Sequence, residues 1–518
     1  MSKRINEFPM AALLLALSLA SPTFAQTGDA EQQEKLAEVL QRVEEYCGSV
    51  CHKAPPPTVM PKAFWPRAVQ VMADMAAERF GPGFIPEETI RDITAFYFGS
   101  SPEALPRLPY TGEPPDPSAF AASSLGERSP APLVVNLHAV TPESENEAEL
   151  LVCDGGRNQV ISLTRSGGRW TEKVLADVEL PARTEVIDFD GDGDRDIVVA
   201  ALGHVTPSRK LAGKVILLRQ SSTGGYVAEV LLEGMGRITD ARPADFDSDG
   251  DMDVAVAVFG DGGKGEVSWL ENLGNGQFTK HVLVDASGAL NVSLTDLDGD
   301  GSTDIISLIS QEYEMVMALL NSGTGSFQRV PLASAPHPMF GFTGMNLVDL
   351  DRDGDIDFLL SNGDAHDLHT EPKPYHGVQW MENKGNLEFQ FHDIGRFYGA
   401  ATAVAGDLDS DGDLDVVASS WDNFWEDDKR QSMVWYENDG AQNFSRRNIM
   451  SRPRSIVTVQ LLDVAGNDRL DIIAGGFRMD LAGKQFAGAD DDQQSGEEAP
   501  EHELADARVI LLENRLAH

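Results

Sequence analysis

Five acidic loops carry the residues whose types and spacing could do chemistry. They run Asp188-Phe-Asp-Gly-Asp-Gly-Asp-Arg-Asp196, Asp245-Phe-Asp-Ser-Asp-Gly-Asp-Met-Asp253, Asp296-Leu-Asp-Gly-Asp-Gly-Ser-Thr-Asp304, Asp349-Leu-Asp-Arg-Asp-Gly-Asp-Ile-Asp357 and Asp407-Leu-Asp-Ser-Asp-Gly-Asp-Leu-Asp415. Alternate side chains in such a loop converge on one point. A hard divalent cation such as calcium takes six to eight oxygen ligands, and the glycine at position six allows the sharp turn. The ligands predicted by position are Asp188, Asp190, Asp192 and Asp196; Asp245, Asp247, Asp249 and Asp253; Asp296, Asp298, Asp300 and Asp304; Asp349, Asp351, Asp353 and Asp357; and Asp407, Asp409, Asp411 and Asp415. A backbone carbonyl at position seven completes each set. Four carboxylates within nine residues repel one another unless a cation sits among them. The spacing therefore predicts about five calcium ions, each pinning a turn and stabilising the folded state that binds it. A sixth copy, Asp463 to Asp471, has Ala465 and Asn467 in ligand places and Arg469 nearby, and is predicted to hold no metal.

A second motif is Cys47-Gly-Ser-Val-Cys51-His52. The common attachment signature for c-type haem has two residues between its cysteines; here there are three. On a helix, residues four apart share a face, so both thiols reach two vinyl groups with His52 beneath the iron. Pro55-Pro56-Pro57 follows, where a prolyl carbonyl can take the second imidazole N–H. Met72 is the first choice of sixth ligand, with Met75 and Met60 as alternatives; each also reads as core packing. The other reading of the motif is a local Cys47–Cys51 disulfide, with His52 incidental. Cys153 reads as a small apolar residue buried in a strand. His366-Asp-Leu-His369 pairs two imidazoles in a loop without an evident third ligand. No phosphate loop, nucleophile elbow or dinucleotide fingerprint is present. Acidic pairs fall almost entirely within the loops, so none marks a glycosidase.

These loops must be placed by repeats. Their starts are 57, 51, 53 and 58 residues apart, a period that signals stacked supersecondary units. In each unit a short strand enters the loop and an apolar β-branched strand leaves it. A third strand ends in a polar turn: Trp269-Leu-Glu-Asn272, Trp380-Met-Glu-Asn383, Trp435-Tyr-Glu-Asn438. A fourth has an aromatic followed five residues on by an aliphatic, as in Trp170/Leu175, Tyr226/Leu231, Phe278/Leu283, Phe327/Leu332, Phe389/Ile394 and Phe444/Ile449. Four short strands in some fifty residues make a propeller blade. The degenerate copy at Asp463 adds a sixth, and Leu133 to Asp154 has the strand pattern of one more, making seven. The last blade, ending at Val509–Asn514, lacks a fourth strand. Phe120 and Leu125 repeat the aromatic-plus-five spacing, so residues 119–126 are expected to close the ring. The alternative architecture is a β-sandwich or two stacked all-β domains.

The loops and the apolar strands after them resemble the FG-GAP/VCBS repeats of integrin α-chain heads and of many secreted bacterial proteins, over residues 119–514. The resemblance implies a mainly β fold, a seven-bladed β-propeller with bound calcium. It does not choose an activity, because such repeats serve adhesion, binding and catalysis. Residues 26–108 read as helical, and about residues 35–106 look like a small class I cytochrome c domain. That likeness implies one covalent haem c and single-electron transfer, with Cys47, Cys51, His52 and Met72 around the iron. A Pro-rich connector, residues 109–118, is stiff and joins the two.

The chain has 518 residues, enough for at least two domains. Met1-Ser-Lys-Arg, an apolar stretch from Met10 to Ala20 and Thr23-Phe-Ala25 form a signal peptide, residues 1–25, cut after Ala25. The mature protein is expected in the periplasm or secreted, monomeric and without a transmembrane anchor. A net charge of −42 excludes nucleic acid and anionic membrane as partners. Three cysteines are too few for a disulfide scaffold.

The expected function is an exported calcium-binding propeller that binds a ligand or partner, with a haem that exchanges single electrons with a redox partner. Rival readings are a haem-coupled oxidoreductase or polysaccharide-acting enzyme on the propeller face, and a haem-free adhesion module. Loops on the face away from the acidic turns carry His204, Arg209, Lys210, His366, His369, His376, Trp421, Trp425 and Arg478, with Arg237, Tyr398 and Arg454 where blades begin. Cations and aromatics there would suit an anionic or carbohydrate ligand; they also suit ordinary loops. His366, His369, Tyr398, Trp421 and Trp425 are the leading residues of that face.

Overall fold

The computed structural model describes residues 30–48, 53–110, 114–140, 148–205, 208–260, 264–311, 313–365, 371–478 and 503–516. The expected signal peptide, Cys51, His52, His366 and His369 lie outside the described residues. The chain divides into two compact units, a helical one ending at Glu103 and another from Ala104 onward that also takes Thr58–Met60.

In the helical unit, helices Ala30–Val43, Trp65–Phe80 and Glu87–Ser100 are joined by short turns, and a π-helical turn, Glu44–Gly48, continues the first. A proline in the first turn of the second helix starts it without losing a needed N–H. Gly81, at φ +106°, stops it. Glu87 and Glu88 face the positive end of the third helix. Trp65 lies flat on Tyr97, centroids 3.9 Å apart, with Ile93, Ala68, Ala73 and Ala76 buried. Arg42 and Asp92, 2.5 Å apart, tie the first helix to the third.

The second unit is the seven-bladed propeller: seven four-stranded antiparallel sheets, six of them built from consecutive strands. Second strands such as Asp253–Val258 and Asp304–Ile309 are buried along their whole length, as β-branched and aliphatic runs covered on both faces must be. Fourth strands such as Tyr226–Met235 are mostly half-buried or exposed, the signature of an outer edge. First strands of successive sheets neighbour one another, and Ser455–Leu462 returns to Val134–Val140, closing the circle. Apolar side chains fill the wedges between blades: Phe246, Trp269 and Phe327 meet edge to face at 5.8–6.5 Å.

The seventh blade closes as the aromatic-plus-five spacing predicts. Phe120–Leu125 pairs antiparallel with Val509–Asn514, Phe120 opposite Asn514 and Leu125 opposite Val509. Beside this seam Arg508 is 2% exposed. Its guanidinium donates to Asp154 at 2.9 Å, to both oxygens of Glu172 at 2.6 Å and to the Glu127 carbonyl at 2.7 Å. Cys153 is fully buried in blade 1, and burial pushes its thiol up to about 12; it is a packing residue with no reactive thiolate.

The helical unit ends before residue 108, and the start of the connector packs on blade 6. Arg107 pairs with Glu426 at 2.7 Å and stacks on Phe424, 3.9 Å from its centroid. Leu108 donates its N–H to the Tyr398 hydroxyl at 2.6 Å and accepts from Arg430 at 3.3 Å. Asn448 donates to the Tyr110 hydroxyl at 3.0 Å. A proline-rich segment has few N–H groups, and Tyr398 of blade 6 accepts that of Leu108. Among the described residues no helix is long and apolar enough to cross a membrane.

Candidate functional site

Each acidic loop is shaped by its first aspartate. Asp188 accepts from the N–H of Gly191 at 2.9 Å and of Gly193 at 3.1 Å. Asp245 does so from Ser248 and Gly250, Asp296 from Gly299 and Gly301, Asp407 from Asp411 and Gly412. Position six is left-handed in all five, from φ +87° at Gly193 to +103° at Gly412, which explains its glycine. The aspartate at position five accepts the N–H two residues on, as Asp192 does from Asp194 at 2.8 Å.

The result is five groups of three carboxylates, Asp188/Asp190/Asp192, Asp245/Asp247/Asp249, Asp296/Asp298/Asp300, Asp349/Asp351/Asp353 and Asp407/Asp409/Asp411. Within each, one oxygen per residue lies within 4.8 Å of the others. The degenerate loop is an internal control. Asp463 accepts from Gly466, Asn467 and Asp468, and Asn467 from Arg469. The turn thus forms without a carboxylate triad, and the extra charge in the other five loops is not needed to shape it.

The ninth aspartate is not brought into these groups. Asp196, Asp253, Asp304, Asp357 and Asp415 are at most 2% exposed. One oxygen of each accepts the N–H of loop position two, at 2.9–3.2 Å. The other accepts an N–H at the end of the third strand, from Gln220, Asn272, Asn321, Asn383 or Asn438, at 2.7–2.9 Å. Asp471 makes the same two bonds, to Val464 and Asn514, under the degenerate loop. Position nine therefore ties the loop to the sheet whether or not a triad sits above it. Burial raises the carboxyls of Asp253 and Asp415, to about 6 and about 7. The indole N–H groups of Trp269 and Trp435 lie beside them and oppose that rise, short of full hydrogen-bond geometry.

The triads fit a hard cation. Their donors are all carboxylate oxygens. In the blade 5 loop, Asp349 Oδ1 is buried with no hydrogen-bond partner among the described residues, a group that a cation would satisfy. Asp351 beside it is raised to about 6 by burial and by Asp357 and Asp353.

The FG-GAP-like repeat family matches residues 188–256, 245–307 and 296–360. Each match begins on the first aspartate of a loop. The chain carries FG-GAP repeats. The matched repeats lie within the seven-bladed β-propeller. No curated protein matches the chain.

Two features of this FG-GAP propeller escape the spacing argument. Asn321 donates to the Phe246 carbonyl of the preceding blade at 2.8 Å, and Asn514 to that of Leu408 at 2.6 Å, so in blades 4 and 7 the asparagine at the end of the third strand pins the preceding blade. The repeated Glu-Asn turn was its only signal. Charged side chains also crowd the first strands. Arg242 contacts Glu185 at 2.5 Å and Asp240 at 3.1 Å, Arg183 contacts Asp240 at 3.4 Å, and His138 Nδ1 bonds the Thr184 carbonyl at 2.6 Å. Arg183 and Asp240 stand where other blades hold Asn136, Asn291, Gly344 or Thr402, and Glu185 and Arg242 where they hold His138, Ser293, Asn346, Val404 or Gln460, a contrast visible only once the strands are aligned.

The residues expected on the ligand face are placed unevenly. Tyr398 is 4% exposed and engaged by the connector. His376 is fully buried and accepts from the Gly399 N–H at 3.3 Å. Trp421 donates to the Gly363 carbonyl at 2.9 Å. Trp425 is half-buried, and Arg209 and Lys210 are exposed. In the helical unit, Cys47 lies in the π-helical turn. Met72 is 37% exposed and Met75 half-buried, while Met60, which belongs to the second unit, is wholly buried. The Pro55 and Pro57 carbonyls accept from the hydroxyls of Tyr97 at 2.9 Å and Ser101 at 2.7 Å.

Proposed function

We propose that this protein is an exported binding propeller held rigid by calcium, with one haem c on its helical unit for single-electron exchange. The observation that carries the reading is the set of five convergent carboxylate triads on turns that fold without them. Position nine ties each loop to its sheet, leaving positions one, three and five to close on the cation. FG-GAP propellers typically serve as binding modules, which supports a ligand or partner on the loops away from the triads. For the haem, Cys47 and Cys51 would hold the macrocycle, His52 the iron, and Met72, whose side chain is at the surface, the sixth position. Bound there, the group supplies one-electron redox chemistry. The chain's own contribution is positioning: Tyr97, stacked on Trp65, fixes the backbone just after His52 through Pro55.

Metal analysis and a visible spectrum of one purified sample test both cofactors. About five calcium ions per chain are expected, with one fewer in Asp411→Ala. Chelation should lower stability by about 2–3 kcal/mol per emptied site at calcium about 100-fold above Kd. Protein made alongside cytochrome c maturation should keep its colour through acid–acetone extraction. Fewer than about three calcium ions removes the structural-metal reading, and complete extraction of the colour removes the haem.

The ligand face is tested with Trp421→Ala and Trp425→Ala together, leaving Tyr398 to hold the connector. Binding to an array of anionic oligosaccharides should weaken by about tenfold or more, the worth of a lost stacking contact. Unchanged binding with an intact far-UV spectrum moves the site elsewhere.

A further inference from the structure

The five acidic loops share one backbone and differ in the side chain that the third strand points at them. The residue just before the one that bonds the ninth aspartate is Arg219 in blade 2, Glu271 in blade 3, Leu320 in blade 4, Glu382 in blade 5 and Glu437 in blade 6. In blade 2 the guanidinium of Arg219 donates to Asp190 at 2.6 Å, on a carboxylate of the triad itself. It is held there by Glu229 at 2.9 Å and by the ring of Phe189, 5.8 Å from its centroid. Blades 3, 5 and 6 set a carboxylate at the same place. Those side chains are Glu271, Glu382 and Glu437; in blade 5, Glu382 lines one recess with Asp351, the third residue of its loop. Those glutamates have cationic or imidazole neighbours of their own: His281 at 2.7 Å, His392 at 2.8 Å with Lys384, and Arg447 at 2.6 Å. Blade 4 has a neutral leucine, and its loop also carries Ser302 where the other four have aspartate.

We infer that the FG-GAP loops bind calcium in three graded classes, with Arg219 serving as a built-in cation that makes the blade 2 site the weakest. This rests on the calcium reading above and refines it. Calcium entering the blade 2 loop must displace the guanidinium from Asp190 or bind beside it. A unit positive charge about 5 Å from a divalent ion, even in water, weakens binding by about tenfold. The order follows as blade 2 weakest, blade 4 intermediate, and blades 3, 5 and 6 tightest. Physically, the blade 2 turn keeps its shape at calcium levels that leave it empty, because Arg219 already offsets its charge. The other four loops have no such substitute among these third-strand residues.

The test is calcium titration of the full chain by calorimetry, with equilibrium dialysis to count sites. The wild-type isotherm should end in a weak class of one site. Asp192→Ala should delete that last class and leave the tighter ones unchanged. Arg219→Gln should tighten it about tenfold, toward the blade 4 site, while circular dichroism reports an unchanged fold. Glu382→Gln should loosen one tight site severalfold. If Asp192→Ala removes a tight site, or Arg219→Gln leaves the isotherm unchanged, the grading is wrong while calcium binding stands. If no loop takes calcium, the underlying reading falls and the grading with it.

Discussion

Replacing Arg508 by methionine is expected to destabilise the protein by about 3–5 kcal/mol, the largest single-residue loss outside the acidic loops. The guanidinium is 2% exposed, Asp154 is 1% exposed, and the Glu172 side chain is 14% exposed. Methionine fills much the same volume, so cavity formation contributes little. The loss comes from stranding two carboxylates whose charge, among the described residues, Arg508 and Arg157 offset. The same residue also releases the Glu127 carbonyl and hence the strand that closes the ring. A triple variant, Arg508→Met with Asp154→Asn and Glu172→Gln, removes the stranded charge and should recover most of the stability. Urea denaturation midpoints of the two variants against wild type decide it. A single variant within about 1 kcal/mol of wild type would mean that the clasp is already loose in solution.

The second large effect is on pH dependence. His337 is 7% exposed, packed edge-on against Tyr375 and Phe340 at 4.8 and 5.9 Å, and its Nδ1 has no partner among the described residues. Burial, with the Lys373 charge beside it, lowers its pKa from 6.5 to about 4. The unfolded chain therefore binds a proton at a higher pH than the folded chain. Stability from the neutral ring is complete above about pH 6.5 and is lost as pH falls toward 4, by about 2–3 kcal/mol. His337→Phe keeps the aromatic packing and removes the titration. Between pH 7 and 4.5 the wild type should lose about 2.5 kcal/mol more than the variant. Parallel stability–pH curves would show that the imidazole is hydrated in the folded state. Using the difference between two proteins cancels the aspartates, whose raised pKa values act in the opposite direction.

The architecture was legible because it is periodic. Asp-x-Asp-x-Asp-Gly marks a turn by its own local hydrogen bonds, so such turns count five of the seven blades and set the period that finds the other two. Phe120 and Leu125 could be assigned to the last blade because they repeat a spacing found in six other places. What stayed hidden depends on partners far along the chain. Nothing local distinguishes Asp196 from Asp192, yet one is tied to Gln220 and Phe189 inside the sheet and the other lies in a solvent-facing triad. Tyr398 read as a ligand-face aromatic; its hydroxyl meets Leu108, 290 residues earlier. Arg219 is equally opaque until the third strands are aligned through their bonds to position nine.

The seam between Phe120–Leu125 and Val509–Asn514 also sets an order in time. The strand of this ring made first on the ribosome pairs with the strand made last. Six blades can form from consecutive segments as they emerge, each pairing nearby residues, but the seventh must wait for residue 514. Until then the early strand has no edge to join. Its sequence, Phe-Ala-Ala-Ser-Ser-Leu, is small and polar in the middle, with Ser123 exposed even after folding, a poor template for sticking to other chains while it waits. Closure spans nearly the whole propeller, so its loop-closing entropy makes it a slow step. A chain released short of residue 509 would leave the ring open at two unpaired sheet edges.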